Sequence, residues 1–302
     1  MKIGFIGVGN IGAPIAGQLL KVGHALVVHD LRRVAADELL AAGANWSDSP
    51  VAMAAECEVV ATCLPGPAEM EVVCLGSGGP GGIVEHLKPG ALYIDHTTNA
   101  PALVRRVHAV LAARDVGMLD APVSGGMEGA RTRDLLAMVG GEPEVFERAR
   151  PLLDAIAKRV IYTGGSGTGS IAKIMHNSAS FTLDLVMAEC WTVGINAGID
   201  AATIVDVFNE AALGHMMSLK VRLPATYLRG DFDPRFSLAL AKKDLGLALD
   251  LARATNTPMR LAALCEQEMI EAIGRGWAGL DASIFLTLQE ERAKVKVRLP
   301  PA

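Results

Sequence analysis

Cysteine is sparse and scattered in this chain of 302 residues: Cys57, Cys63, Cys74, Cys190 and Cys265 form no C-x-x-C pair, and their number is odd. That pattern excludes a disulfide framework and predicts buried thiols, Cys63 at the end of an apolar strand included. The seven histidines show no ligand spacing with Cys, Asp or Glu, so no metal site is expected. An excess of cations is missing too. Lys and Arg number 28 against 33 Asp and Glu, a net charge of -5. The chain lacks the basic field that binds nucleic acid or anionic lipid, and the expected partner is a small molecule. No apolar run approaches the roughly 20 residues of a membrane span. The first strand begins right after Met1, without signal-peptide character, so the expected compartment is the cytoplasm.

Glycine, by contrast, is abundant and placed in patterns. An apolar strand, Lys2-Ile3-Gly4-Phe5-Ile6, runs into Gly7-Val8-Gly9-Asn10-Ile11-Gly12, then a helix, then Ala25-Leu26-Val27-Val28-His29-Asp30. This order predicts a dinucleotide-binding βαβ unit. Gly7 allows the tight turn, Gly9 the approach of a pyrophosphate, and Gly12 close packing of helix on strand. Asp30 falls 18 positions after Gly12, near the roughly 20 expected of an acid that binds the adenosine ribose. Asn10, Ile11 and Leu31 complete the candidate cofactor residues of this unit. An acid at position 30 favours NAD, because it repels the 2'-phosphate of NADP; Arg32 and Arg33 follow at once and keep NADP possible.

Beyond Asp30 the alternation continues. A helix is predicted over about 33–42, strands over 58–63 and 91–95, a helix over about 101–113, and strands over about 116–120, 135–141 and 160–162, with a helix from Glu142 to about Ala157. Strands alternating with helices predict a parallel, doubly wound sheet whose ligands bind beyond the strand carboxyl ends. The loops there carry Leu64-Pro65, Thr97-Thr98 and Ser124-Gly125-Gly126. Thr98 reads either as a cofactor contact or, with Thr97, as a helix cap before Pro101. The Gly-rich stretch 76–82 reads as a connector. Gly164-Gly165-Ser166-Gly167-Thr168-Gly169 ends the pattern, and helical periodicity runs from Ser170 to about Ala197 and on in segments to about Arg292. The expected fold is an α/β Rossmann-like N-terminal domain (1–163), a Gly-rich loop and long connecting helix (164–197), and an all-α C-terminal domain (198–302).

Lys173 and Asn177, at i and i+4 on the long helix, share one face. A lysine near the positive end of a helix is electrostatically unfavourable unless something else requires it; from spacing alone it reads as a solvated charge or a functional one. Four blocks resemble the β-hydroxyacid dehydrogenase family, which includes 3-hydroxyisobutyrate dehydrogenases and tartronate semialdehyde reductases. They are Gly4 to Gly12, Asp120-Ala121-Pro122-Val123-Ser124-Gly125-Gly126, Gly167-Thr168-Gly169 leading to Lys173 and Asn177, and Lys243-Asp244-Leu245. The resemblance implies that Lys173 is catalytic, Asn177 helps hold substrate, Ser124, Gly125 and Gly126 bind a substrate carboxylate, and Lys243 closes over the cofactor. Leu64, Pro65 and Thr98 match family positions that contact the cofactor. It also implies a small hydroxy acid or semialdehyde as substrate, and a homodimer or homotetramer. Arg133-Asp134, where the family commonly has Gly-Thr, and His176, where it often has Asn, depart from the pattern. An imine reductase and a catalytically silent nucleotide-binding scaffold are the alternatives; the presence of Lys173 speaks against both.

Overall fold

A computed structural model describes residues 1–76, 81–174, 176, 193–211, 223–235, 237–239, 241–242, 245, 249, 253 and 256–293. They form two compact units, Met1–Ala179 and Ser180–Ala302. In the first, the chain order is β1 (Lys2–Ile6), α1 (Gly12–Lys21), β2 (Ala25–His29), α2 (Asp37–Ala41), β3 (Asn45–Trp46), α3 (Pro50–Glu56), β4 (Val59–Thr62) and α4 (Pro67–Leu75). There follow β5 (Leu92–Asp95), α5 (Pro101–Ala112), β6 (Gly117–Asp120), β7 (Val123–Ser124), α6 (Gly126–Thr132), β8 (Leu136–Gly141), α7 (Pro143–Ile156) and β9 (Arg159–Gly164). Proline opens α3, α4, α5 and α7, where its missing N–H costs nothing and its fixed φ suits the first turn.

Every residue of β4 and β5 is buried. Strands that are apolar on both faces need cover on both, and helices supply it. α1, α2, α6 and α7 build one core with Phe5, Ile15, Leu19, Leu39, Phe146 and Leu153. α3, α4 and α5 build the other with Met53, Val60, Met70, Tyr93, Val104 and Leu111. Among the described residues the sheet runs β3-β2-β1-β4-β5-β6-β8-β7, with β9 on the far side of β8. From β3 to β6 all pairs are parallel. The strand order therefore reverses direction between β1 and β4, the switch point at which doubly wound sheets open a crevice.

One departure from a purely parallel sheet bears on the site. β8 runs antiparallel to β6 and β7. Ser124 and Leu136 are joined by little more than the short helix α6, whereas a parallel return needs a crossover of a dozen or more residues. The register Leu119↔Gly141, Asp120↔Gly140, Val123↔Ala137 and Ser124↔Leu136 is unbroken. Met138 N–H donates to the Pro122 carbonyl at 3.0 Å, so β6 and β7 act as one strand through Ala121-Pro122. The helix expected over 33–42 is a 3-10 turn, Arg33–Ala36, leading into α2.

In the second unit the regular elements among the described residues are helical, Ala201–Glu210, Arg260–Gly274 and Thr287–Ala293 chief among them, apart from a single Ser237–Asp281 bridge. Leu238, Met269, Ala272, Ile284 and Leu288 pack as a core there. Of the stretch expected to form a long helix, residues 168–174, 176 and 193–196 are helical; 175 and 177–192, Cys190 among them, lie outside the described residues, as does part of the 76–82 connector.

Arg133 ends α6 in the left-handed region at φ 63°. That conformation costs a residue with a Cβ roughly 1–2 kcal/mol. Arg133→Gly is expected to raise stability by about 1 kcal/mol, read as a higher urea midpoint at unchanged slope.

Candidate active site

The crevice at the switch point is a cleft of about 650 Å³. Gly7, Gly9, Asn10, Ile11, Gly12, Asp30, Leu31, Leu64 and Pro65 all line it. Its geometry follows from two close approaches. A Cβ on Gly12 would lie 1.9 Å from the Gly7 carbonyl oxygen, so only glycine lets α1 start against β1. A Cβ on Gly9 would meet nothing within 4 Å, so the bare backbone there faces open space. A loop amide beside a helix N-terminus, with room above it, fits a pyrophosphate. Asp30 closes the other end: Oδ2 accepts from Val8 N–H at 3.0 Å and Oδ1 from Arg32 N–H at 2.9 Å. The carboxylate is thereby fixed, and each oxygen keeps a lone pair for a ribose hydroxyl. Arg32 also lines the cleft, whereas the Arg33 guanidinium sits over the Trp46 ring, 5.2 Å from its centroid. Leu31 is 97% exposed and lines the cleft together with Val72 and Val73 of α4.

α4 was not anticipated, nor were its cleft residues Ala68, Glu69, Val72 and Val73. Pro67 at its first position was the available signal. Cys63 lines the same cleft, but burial pushes its thiol up to about 12, which makes it inert at neutral pH.

Two neighbouring strand ends carry buried acids. Asp95 closes β5 and accepts from Thr62 Oγ1 at 2.8 Å, Thr97 N–H at 3.0 Å and Asn99 Nδ2 at 3.0 Å. Burial raises its pKa, against the pull of these bonds. Thr97 Oγ1 in turn accepts from Leu64 N–H at 3.0 Å, which ties the loop after β4 to the loop after β5. The helix-cap reading of Thr97-Thr98 fails: the residue before α5 is Ala100, and no side chain caps that helix. Thr97 is buried and Thr98 exposed beside it, outside the lining of the cleft described above. Next to β5, Asp120 closes β6, and its pKa is raised by burial against the bonds it accepts from the Ser170 and Gly167 N–H groups. Neither acid had been singled out. His96, buried between these strand ends, bonds the Ala121 carbonyl at 2.8 Å through Nδ1; burial lowers its pKa to about 4 and keeps it neutral.

Ser124 ends β7, and Gly125 and Gly126 turn away from it with φ of 136° and 66°. The Asp134 carbonyl packs against Gly125, at 2.8 Å from where a Cβ would stand, while the Asp134 carboxylate pairs with Lys158 at 2.9 Å. At this departure from the family pattern Asp134 thus both forms a surface ion pair with Lys158 and backs the turn. Lys173 is half-buried on the helix that starts at residue 168, and burial lowers its pKa. His176 is helical and exposed. Asn177 and Lys243 lie outside the described residues.

Residues 2–164 match the NAD-binding domain of 6-phosphogluconate dehydrogenase, and residues 167–288 match the NAD-binding domain of NADP-dependent 3-hydroxyisobutyrate dehydrogenase. The chain belongs to the β-hydroxyacid dehydrogenase family. As a β-hydroxyacid dehydrogenase it is an NAD(P)-dependent oxidoreductase of the hydroxy-acid class. The NAD-dependent L-serine dehydrogenase of Pseudomonas aeruginosa is 36% identical over 296 residues, 95% of this chain and 97% of the relative. The 3-sulfolactaldehyde reductase of Escherichia coli is 35% identical, over 94% of each chain. The solved 3-hydroxyisobutyrate dehydrogenase of Mycobacterium tuberculosis is 32% identical with a TM-score of 0.64, covering 95% of this chain and 99% of that one. A reductive aminase of Aspergillus terreus, with a TM-score of 0.80, covers 95% of this chain and 99% of its own but is only 18% identical, and shares the fold. No helix among the described residues is long and apolar enough to cross a membrane.

The two glycines of the dehydrogenase cleft separate folding from binding. Gly9→Ala is expected to leave the Tm of the free protein within about 1 °C while raising the cofactor Kd at least tenfold. Gly12→Ala drives a Cβ into backbone and is expected to cost about 1–3 kcal/mol of stability as well. Thermal denaturation with and without cofactor checks both.

Proposed function

We propose that this dehydrogenase catalyses reversible hydride transfer between NAD and a small 3-hydroxy acid of the 3-hydroxyisobutyrate type, or its semialdehyde, with Lys173 as general acid/base. The observation that carries the reading is a half-buried lysine of lowered pKa on a helix that starts at the carboxyl end of β6. β6 lies three strands from β1, about 14 Å at the usual spacing. The order β1-β4-β5-β6 supports the reading, because the loops that carry the Gly-rich segment, Leu64-Pro65 and Thr98, and then the Lys173 helix, follow strand ends that are neighbours in the sheet. That is the order in which an extended dinucleotide and then a substrate meet the protein.

Bound nicotinamide supplies the hydride acceptor or donor. Lys173 Nζ takes the hydroxyl proton during oxidation and returns it during reduction. A lysine of ordinary pKa would be an ammonium at neutral pH; partial burial favours the amine that oxidation needs. The half-buried Ser124, through Oγ, and the exposed Gly125 and Gly126, through their amides on a turn of two positive φ values, bind the substrate carboxylate without placing a second cation beside the lysine. Asn177 orients the hydroxyl and Lys243 covers the cofactor in this reading. L-serine, 3-hydroxyisobutyrate and 2-(hydroxymethyl)glutarate, named for relatives, share a primary alcohol β to a carboxylate, and that unit is the assigned substrate class. NAD is favoured over NADP because the Asp30 carboxylate is fixed at the ribose end while Arg33 is stacked on Trp46. The reading also includes a domain division at 1–163, 164–197 and 198–302, a cytoplasmic location, and assembly as a homodimer or homotetramer.

Lys173→Ala is expected to lower kcat by about 100-fold or more with the cofactor Kd unchanged. In the native enzyme oxidation speeds up as pH rises through the lysine pKa, below the usual lysine value, and reduction slows over the same window. That limb disappears in the variant. Near-normal turnover of the variant would falsify the assignment. A panel of 3-hydroxyisobutyrate, glycerate, serine and 4-hydroxybutyrate with NAD or NADP, followed by absorbance of the reduced nicotinamide, is expected to show higher kcat/KM with NAD and with the β-hydroxy acids. A strong NADP preference would sink the role given to Asp30.

A further inference from the structure

The helix that bears Lys173 begins at residue 168, and its first N–H groups have no acceptor within the helix. Such ends are usually capped by Ser, Thr, Asp or Asn at the preceding position. Here that position is Gly167, which has no side chain. The cap comes instead from a strand end 47 to 50 residues earlier. Asp120 Oδ1 accepts from Gly167 N–H at 2.9 Å, and Oδ2 accepts from Ser170 N–H at 2.7 Å. One carboxylate thus satisfies the N–H groups of the cap residue and of the third helical residue, a pair that a local capping box serves with two side chains.

We propose that Asp120 is a positioning residue for Lys173, fixing the depth and rotation of its helix against the sheet; this rests on the general acid/base reading of Lys173. Two-point attachment sets the first turn of the helix, and Lys173 follows Ser170 by about one turn on a neighbouring face. The seat is built for close approach. A Cβ on Gly140 would stand 2.6 Å from Asp120 Oδ1, and one on Gly169 would stand 2.5 Å from the carbonyl oxygens of Asp120 and Met138. The carboxylate and the helix start are seated between the ends of β6 and β8, with Gly140 and Gly169 leaving no room for a side chain, and Thr168 Oγ1 adds a bond to Thr163 Oγ1 at 2.8 Å. Asp120 also belongs to the strand that continues, in unbroken register, to Ser124. A single side chain therefore joins the carboxylate-binding turn to the lysine and sets the distance between the two groups that grip opposite parts of one small substrate. Misplacement of a reacting group by about 1 Å costs on the order of 100-fold in rate, so the seat bears directly on turnover.

The test is Asp120→Asn, which keeps the shape but offers one acceptor oxygen, so that its amide nitrogen faces one of the two N–H donors. It is expected to lower kcat by about 30- to 100-fold, with the cofactor Kd and substrate KM changed less than about threefold. Hydrogen exchange at the Gly167 and Ser170 amides is expected to accelerate. In a Lys173→Ala background the same substitution is expected to cost less than about twofold further, because there is no lysine left to misplace. Gly140→Ala, which crowds the carboxylate and the Gly165 and Gly169 backbone at the helix start without removing the charge, is expected to repeat the loss of kcat and serves if Asp120→Asn does not fold. Unchanged kcat with accelerated exchange, or an equal loss in both backgrounds, overturns the positioning role. Near-normal turnover in Lys173→Ala overturns the lysine assignment on its own, whatever Asp120→Asn does to exchange, so the two failures are distinguishable.

Discussion

Two buried carboxylates, Asp95 and Asp120, stand side by side as register partners at the ends of β5 and β6, and much of the site hangs from them. A charge removed from water is tolerated only where hydrogen bonds surround it. Asp95 meets that demand by recruiting Thr62, Thr97 and Asn99; Asp120 meets it by recruiting the N–H groups of Gly167 and Ser170. Each acid orders the loop that satisfies it. The cost of burial is thereby turned into the arrangement of the loops after β4, β5 and β9. The burial that raises both pKa values also makes these loops expensive to displace.

The cofactor cleft is governed by a different constraint, the space around backbone. Close packing at Gly12 brings α1 onto β1, and open space at Gly9 leaves the loop amides accessible. Asp30, held by Val8 and Arg32 N–H groups, belongs to the same unit as the loop it bonds. Cys63 sits in this wall with its thiol pushed up to about 12 by burial, and His96 lies deep between the strand ends with its pKa lowered to about 4. Neither of these two groups is poised to exchange a proton near neutrality, whereas partial burial of Lys173 favours its neutral form.

What was legible in the sequence was local. Gly7, Gly9, Gly12 and Asp30 lie within one βαβ unit, and their spacing alone assigns a cleft that the structure lines with the same residues. Strand positions were legible where apolar runs were bounded by turns, as for β4 and β5. The direction of β8 was not, because pairing direction depends on how far the chain travels between strands. α4 was missed because its apolar residues do not fall on one face, which leaves Pro67 as its only signal. Asp95 and Asp120 were read past for a related reason. An aspartate that ends a strand looks like a turn residue facing water until the loops that cover it are known.

The ladder through Pro122 carries a consequence for how such a chain can diversify. Leu119, Asp120, Val123 and Ser124 each have a fixed opposite on β8 in one continuous register, and side chains alternate between faces. A one-residue insertion between Asp120 and Ser124 would turn the serine to the far side of the sheet. Length variation, the commonest way that loops acquire new ligands, is closed to this segment. Descendants of this chain that take different acids would have to keep its spacing and change the side chains around it.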